Sequence, residues 1–317
     1  MTTPDNDDMP TPVPSRGNPL QSGFVVDLTR RLPQAMVSRA WGWLARRKHP
    51  KLGVALLKRT FVRATGIDMS EAQEPIGTYS TLEDLFVRHL KTGARRIEPQ
   101  PDAVVSPVDG TVGEVGLIED GTLMQVKGRS YSLARLLDDE EEAKRFEGGA
   151  YATLYLAPHD YHRIHAPVSG SISQGALVPG ALFPVFREAL ERIDELFARN
   201  ERIITYIDNK TCGRVAVVKV GATLVGRISL AYDDSVHTNV KGQARAALRY
   251  DPAHAMQKGA ELGAFELGST VILVCEEGRI SLEELAPGRK VKMGQRIGTL
   301  SDRPRTKRSR TRKSSES

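Results

Sequence analysis

Cysteine is scarce. Cys212 and Cys275 are the only two in 317 residues, too few for a disulfide scaffold. They lie far apart with no C-x-x-C spacing, so each reads as a buried thiol in a reducing compartment. There is no H-E-x-x-H, which removes a familiar zinc-hydrolase signature. Long apolar runs are missing too. The longest uncharged stretch, Ile164 to Phe186, has spanning length, but Pro167, Pro179, Pro184, Gly170, Gly175 and Gly180 interrupt it. No membrane-crossing helix would carry all six. The N-terminus is acidic and proline-rich, unlike a secretory signal. What is present, 40% hydrophobic and 26% charged residues with 28 Gly and 18 Pro, is ordinary globular composition. It excludes collagen, a coiled coil and a wholly disordered chain.

Charge is unevenly placed. The net value is +6, yet Arg30–Arg63 holds ten basic residues and no acid, and Arg303–Ser317 holds seven and one. The rest of the chain is at −10. The basic character therefore belongs to two segments, which suit an anionic surface at least as well as a nucleic acid.

Four regions follow. Residues 1–23 read as a disordered leader with five prolines and three aspartates. Residues 24–65 read as basic amphipathic helices broken at Pro50, with Leu32, Met36, Ala40 and Leu44 at i, i+4 spacing. Trp41 and Trp43 sit among arginines, as an interfacial helix needs; the alternative is a helix packed on the body with its arginines solvated. Residues 66–300 read as a β-rich body, barrel-like or sandwich-like, of the α+β class. Its strands are predicted at Thr111–Val115, Thr122–Val126, Ala152–Leu156, Val215–Val220, Thr223–Ile228 and Thr270–Cys275. Helices are predicted at Thr81–Lys91, Leu133–Leu137 and Val185–Ala198. Residues 301–317 read as a basic disordered tail, either solvated or tethered to anionic lipid.

Three clusters carry chemistry. Ser106-Pro-Val-Asp109-Gly110 sets a carboxylate in a turn, which alone is weak, since Asp before Gly is a turn former. Tyr155-Leu-Ala-Pro-His159-Asp160-Tyr161-His162-Arg163-Ile-His165 gathers three of the seven histidines within seven residues. It suits proton transfer, a metal site or a structural role. Leu267-Gly268-Ser269-Thr270 precedes a strongly apolar strand. It is either a tight turn or a hydroxyl beside an unshielded carbonyl, which an adjacent base would make reactive. The strand that follows is wrong for a nucleophile elbow.

Taken together, and with Phe86-x-Arg88, Gly93-Ala-Arg95, Gly128-x-x-Tyr131-Ser-Leu, Val178-Pro-Gly180, Asn200-Glu-Arg, Val220-Gly-Ala-Thr and Gly263-x-Phe265, these clusters resemble the phosphatidylserine decarboxylases of the long, membrane-associated bacterial type. The resemblance runs from about Trp41 to Leu300. It implies a precursor that cuts itself between Gly268 and Ser269, giving chains 1–268 and 269–317 that remain partners. His165 would be the base, Asp109 would orient it, and Ser269 would attack the Gly268 carbonyl and end as a covalent pyruvoyl cofactor. His162, or a group contacting the substrate carboxylate, would supply the proton after carbon dioxide leaves, and the product would be phosphatidylethanolamine. His159 takes no role in the pattern. The resemblance further implies phospholipid biosynthesis, a peripheral place on the cytoplasmic side of the cell membrane, a homodimer, no metal and no nucleic-acid partner.

Between Ala231 and Ala260 the chain departs from the pattern, and His237 and Arg245 there are candidates to border the site. Two rivals remain. Val291-Lys-Met-Gly-Gln-Arg-Ile-Gly resembles the hairpin of biotinyl and lipoyl carriers, in which Lys292 would be modified and Gly268–Ser269 left intact. A pyruvoyl decarboxylase of a soluble amino acid would share the site but not the basic helices.

Overall fold

The computed structural model describes residues 34–223, 227–266, 269–282 and 285–301. The leader, the start of the basic segment, Gly268 and the tail after Ser301 lie outside these residues. The chain opens with α1 (Gln34–Ala45), α2 (Lys51–Thr65) and α3 (Leu82–Phe86). Pro50 stands in extended conformation before α2, and Gly66, at φ 75°, closes it with an N–H bond to the Val62 carbonyl. Thr81 and Asp84 form a reciprocal cap on α3. That helix stops at Phe86, short of the predicted Lys91, because Arg163 takes the Val87 carbonyl at 2.8 Å. The three helices meet in a small core of Ala45, Leu82, Leu85 and Phe86, with Trp41, Leu57, Phe61 and Val62 against it.

The β-rich body follows. In chain order it runs β1 (Ala103–Val105), β2 (Gly110–Leu117), β3 (Thr122–Val126), β4 (Arg129–Ser132), α4 (Leu133–Leu137), α5 (Glu140–Arg145), β5 (Ala150–Leu156), β6 (Arg163–His165) and β7 (Gly170–Val178). Then come α6 (Arg187–Arg192), α7 (Leu196–Arg199), β8 (Arg202–Asn209), β9 (Gly213–Val220), β10 (Ile228–Leu230), β11 (Ala246–Met256), β12 (Glu261–Phe265), β13 (Ser269–Cys275), β14 (Ile280–Ser281), β15 (Lys290–Val291) and β16 (Arg296–Leu300).

Among the described residues, eight strands form one sheet in the order β11-β7-β8-β9-β13-β5-β2-β15. Every pairing in it is antiparallel. Both faces are covered, which explains the unbroken apolar run of β13. Val271, Leu273 and Cys275 face one core, shared with the three-stranded sheets β10-β12-β6 and β1-β16-β14. Ile272 and Val274 face the other, under α4, α6, α7 and the β3–β4 hairpin. Each fully buried aliphatic side chain contributes about 1.5–3 kcal/mol. The result is α+β and sandwich-like; the sheets do not close into a barrel.

Two further sequence expectations change. The helix predicted over 185–198 is broken into α6 and α7, with Glu195 left-handed at φ 52°. The buried Gln125 side chain stands in for the missing helical bonds. It donates to the carbonyls of Leu190 and Ile193 and accepts from the N–H of Leu196, each at 2.8 Å. Among the described residues of the strand predicted over 223–228, only Ile228 lies in one; residues 224–226 are outside those described.

Candidate active site

The chemistry-bearing motifs meet at one end of the large sheet. Ser269 opens β13 opposite Leu156, the last residue of β5. Thr111, two residues after Asp109, pairs with Tyr155. Gly110 lies so close to β5 that a Cβ there would sit 2.4 Å from the Tyr155 carbonyl oxygen, so only glycine fits after Asp109. The N–H of Phe265, three residues before Gly268, donates to the His162 carbonyl at 2.9 Å. His165 lies opposite Glu261 in the β6–β12 pair.

The two histidines are buried in different settings. His165 Nδ1 lies 2.9 Å from the Gly259 carbonyl oxygen. A carbonyl only accepts, so Nδ1 carries the proton and Nε2 holds the lone pair. Nε2 is buried with no partner. Burial holds the His165 pKa below its usual value, against weaker raising effects that include the Asp109 charge. His162 is bound likewise through Nδ1 to the Asp160 carbonyl at 2.9 Å, and its Nε2 is also buried and unpartnered. Its ring stacks on Phe86 with centroids 4.0 Å apart. Complete burial pushes its pKa down to about 3, and nearby Arg88 adds to the effect.

Asp109 does not hold His165 by a hydrogen bond, contrary to the expectation that it orients the ring. Its carboxylate is taken by Arg95, whose Nε lies 2.8 and 3.0 Å from its two oxygens, and by the N–H of Met293 at 2.8 Å. Its influence on His165 is electrostatic, while the Gly259 carbonyl fixes the ring. Arg95 also reaches Glu71 at 2.8 Å. Burial disfavours its charge, yet the bonds it donates to Asp109 and Glu71 outweigh this and raise its pKa. Asp109→Ala would leave this buried guanidinium with Glu71 as its one carboxylate among the described residues. The expected cost is about 3 kcal/mol, read as a lowered urea midpoint; a loss near zero would show that Glu71 suffices.

Sequence reasoning missed several groups. Arg95 and Arg88 were visible only as motif letters without roles. Glu266, buried two residues before Gly268, is bound by Arg227 Nε at 2.7 Å. It faces Glu83 of α3, whose pKa is raised by burial and by this second carboxyl. Arg46, at the end of α1, lies 3.2 Å from Glu83 and 3.8 Å from Glu266. The N-terminal helices are thus tied to the segment that leads into Gly268. Asn200 and Arg202 are structural: Asn200 bonds the backbone of Phe183 and Gly221, and Arg202 bonds four carbonyls. His159 is half-exposed, 3.7 Å from Asp160. His237 forms an isolated bridge with Ser229. Arg245 pairs with Asp138 at 2.5 Å.

The phosphatidylserine decarboxylase family model matches residues 82–299. A phosphatidylserine decarboxylase proenzyme of Anaeromyxobacter sp. (strain K) is 46% identical over 275 residues, 86% of this chain and 97% of the relative. Proteins of the same name from Brevibacillus brevis and Myxococcus xanthus are each 42% identical, over 274 and 275 residues. In both cases the match spans 86% of this chain; it spans 96% and 97% of the relatives. The chain belongs to the phosphatidylserine decarboxylase family. It is accordingly an enzyme, a decarboxylase. The family match spans the Ser106-to-Gly110 turn, the histidine cluster and Gly268-Ser269-Thr270 together. A carrier module leaves all three without a purpose. Its Lys292 is tied to Glu71 at 3.2 Å in the loop that also supplies the Met293 N–H to Asp109. In this decarboxylase that hairpin is part of the wall around Asp109.

Proposed function

We propose that this enzyme converts phosphatidylserine to phosphatidylethanolamine and carbon dioxide, using a pyruvoyl group made from its own Ser269 by a cut after Gly268. The observation that carries the reading is His165 Nε2, a neutral, buried lone pair without a partner, on a strand paired with the one that leads into Gly268. A base for a serine hydroxyl needs such a nitrogen. Nε2 takes the Ser269 proton as the oxygen attacks the Gly268 carbonyl, and the buried Asp109 charge favours the imidazolium that forms.

Strand pairing supports the two pieces remaining together. β13 lies between β5 and β9, and β16 pairs with β1, so residues 269–317 would stay bound to 1–268. The unpartnered imidazole nitrogens of His165 and His162 fit a polar group at the head of β13. A pyruvoyl group there supplies a ketone that draws off the electron pair left when carbon dioxide departs. His162 Nε2 accepts the proton that the substrate ammonium sheds and returns it to the α-carbon. In its buried, neutral state it must take up a proton before giving one.

The N-terminal helices support a peripheral place on the membrane. No helix among the described residues is long and apolar enough to cross one. Met36, Trp43 and Leu44 of α1 are exposed, and so are Leu52 and Leu56 of α2, at 87% and 67%. Arg47 stacks over Trp43 at 3.6 Å, and Lys51, Arg59 and Arg63 edge the same helix. Apolar residues rimmed by cations suit an anionic lipid surface.

Labelled carbon dioxide release tests the reading. Wild-type protein should release it from phosphatidylserine vesicles and not from free serine. Leu52→Asp/Leu56→Asp should lose about tenfold or more on vesicles while cutting itself as wild type does. Equal turnover of free serine would favour a soluble amino-acid decarboxylase. Undiminished vesicle activity in the variant would exclude this face as the docking surface.

A further inference from the structure

Arg88 is buried, at 4% exposure, and only one of its three guanidinium nitrogens has a partner: Nη2 donates to the His159 carbonyl at 3.2 Å. Nε and Nη1 are buried with none. Among the described residues no ion pair reaches it; Asp109 and Glu71 act on it only through longer-range charge. A buried guanidinium with two idle donors and no counter-ion is expensive to maintain. Nε forms a side-on fork with one Nη2 hydrogen and Nη1 an end-on fork with the other, so whichever hydrogen the His159 carbonyl takes, one fork stays open for two oxygens of one anion.

Its surroundings give the anion a place. Arg88 follows Phe86, whose ring packs on Phe61 of α2 on one side, centroids 6.0 Å apart, and on His162 on the other at 4.0 Å. From outside inward the order is the exposed Leu52 and Leu56, the body of α2, Phe86 with Arg88, then His162. A phosphatidylserine molecule has the same order: acyl chains, phosphodiester, serine. The geometry points to Arg88 as the group that binds the substrate's phosphodiester through the fork that the His159 carbonyl leaves open, setting the serine head against His162.

The substrate carboxylate is the other anion available, and the chemistry argues against it. That charge leaves as carbon dioxide forms. A guanidinium clamped on it would stabilise the ground state more than the transition state and raise the barrier. The phosphodiester keeps its charge throughout, so binding it lowers KM without cost to kcat. It also offsets the Arg88 charge that disfavours protonation of His162, so a bound headgroup makes Nε2 a better proton carrier.

This inference rests on the proposed substrate and is tested apart from it. Glycerophosphoethanolamine carries the phosphodiester and no carboxylate; L-serine carries the reverse. In calorimetry, glycerophosphoethanolamine should bind Arg88→Met at least about tenfold more weakly than wild type, with Arg88→Lys between them. KM for short-chain phosphatidylserine should rise about as much, with kcat changed less than about threefold. The wild-type protein supplies a measurement independent of any variant's folding. The Arg88 guanidinium N–H resonances should move on adding glycerophosphoethanolamine and stay on adding L-serine. A resonance that moves only with L-serine, or with neither, overturns the inference. So does unchanged glycerophosphoethanolamine affinity in Arg88→Met. If wild-type protein released no carbon dioxide from phosphatidylserine, the proposed function itself would fail, an outcome these binding measurements do not share.

Discussion

Ser269→Ala is expected to yield one uncut chain of 34.8 kDa with no decarboxylase activity. On the proposed mechanism the substitution removes the hydroxyl that attacks the Gly268 carbonyl and, with it, the source of the pyruvoyl ketone. The loss is therefore complete rather than graded. The fold should survive. Ser269 is the first residue of β13, and the strand is held by backbone pairing to β5 and β9 and by Val271 to Cys275 in the two cores. An electrophoretic gel separates the outcomes: two pieces from wild type, one from the variant. A variant that cuts at the same place would remove Ser269 as the nucleophile and the account with it.

His165→Ala should block the cut almost as fully. A positioned base contributes about 10²–10⁴ in rate. Here the Gly259 carbonyl orients the ring and burial keeps it neutral. The same facts set the pH dependence. The working form is the neutral imidazole, so cutting is fastest above the His165 pKa and falls as pH drops through it. Burial disfavours the charged form, so the midpoint should lie below 6.5, the usual histidine value. The appearance of the small fragment after a pH jump, from pH 4.5 to 8, measures it. A midpoint above 6.5, or normal cutting by His165→Ala, would contradict the assignment.

The division between what the sequence revealed and what it hid has physical causes. β13 was legible because Thr270 to Val274, β-branched at every position but Leu273, reads as a buried strand. α4 was legible from Leu133 to Leu137, and the α3 cap from Thr81. The site motifs were legible as a set, since Asp109, His162, His165 and Ser269 sit in short, distinctive strings. Long-range contacts were not. Nothing local tells that Gln125 replaces helical bonds near Leu196, about 70 residues on. Nor does local sequence show that Gly259, and not Asp109, holds the His165 ring, since a backbone carbonyl is present at every position. Arg88 and Arg95 look alike as letters. Arg95 found two carboxylates and Arg88 none, and only the folded chain separates a structural ion pair from a free donor set.

The account turns on a single covalent event. Intact mass spectrometry of the purified protein measures it most directly. The expected result is two chains, 1–268 and 269–317, the smaller lighter by one ammonia than a serine-headed peptide of its sequence. A single chain of full mass after incubation with phosphatidylserine vesicles, or a small chain that still begins with serine, would contradict it.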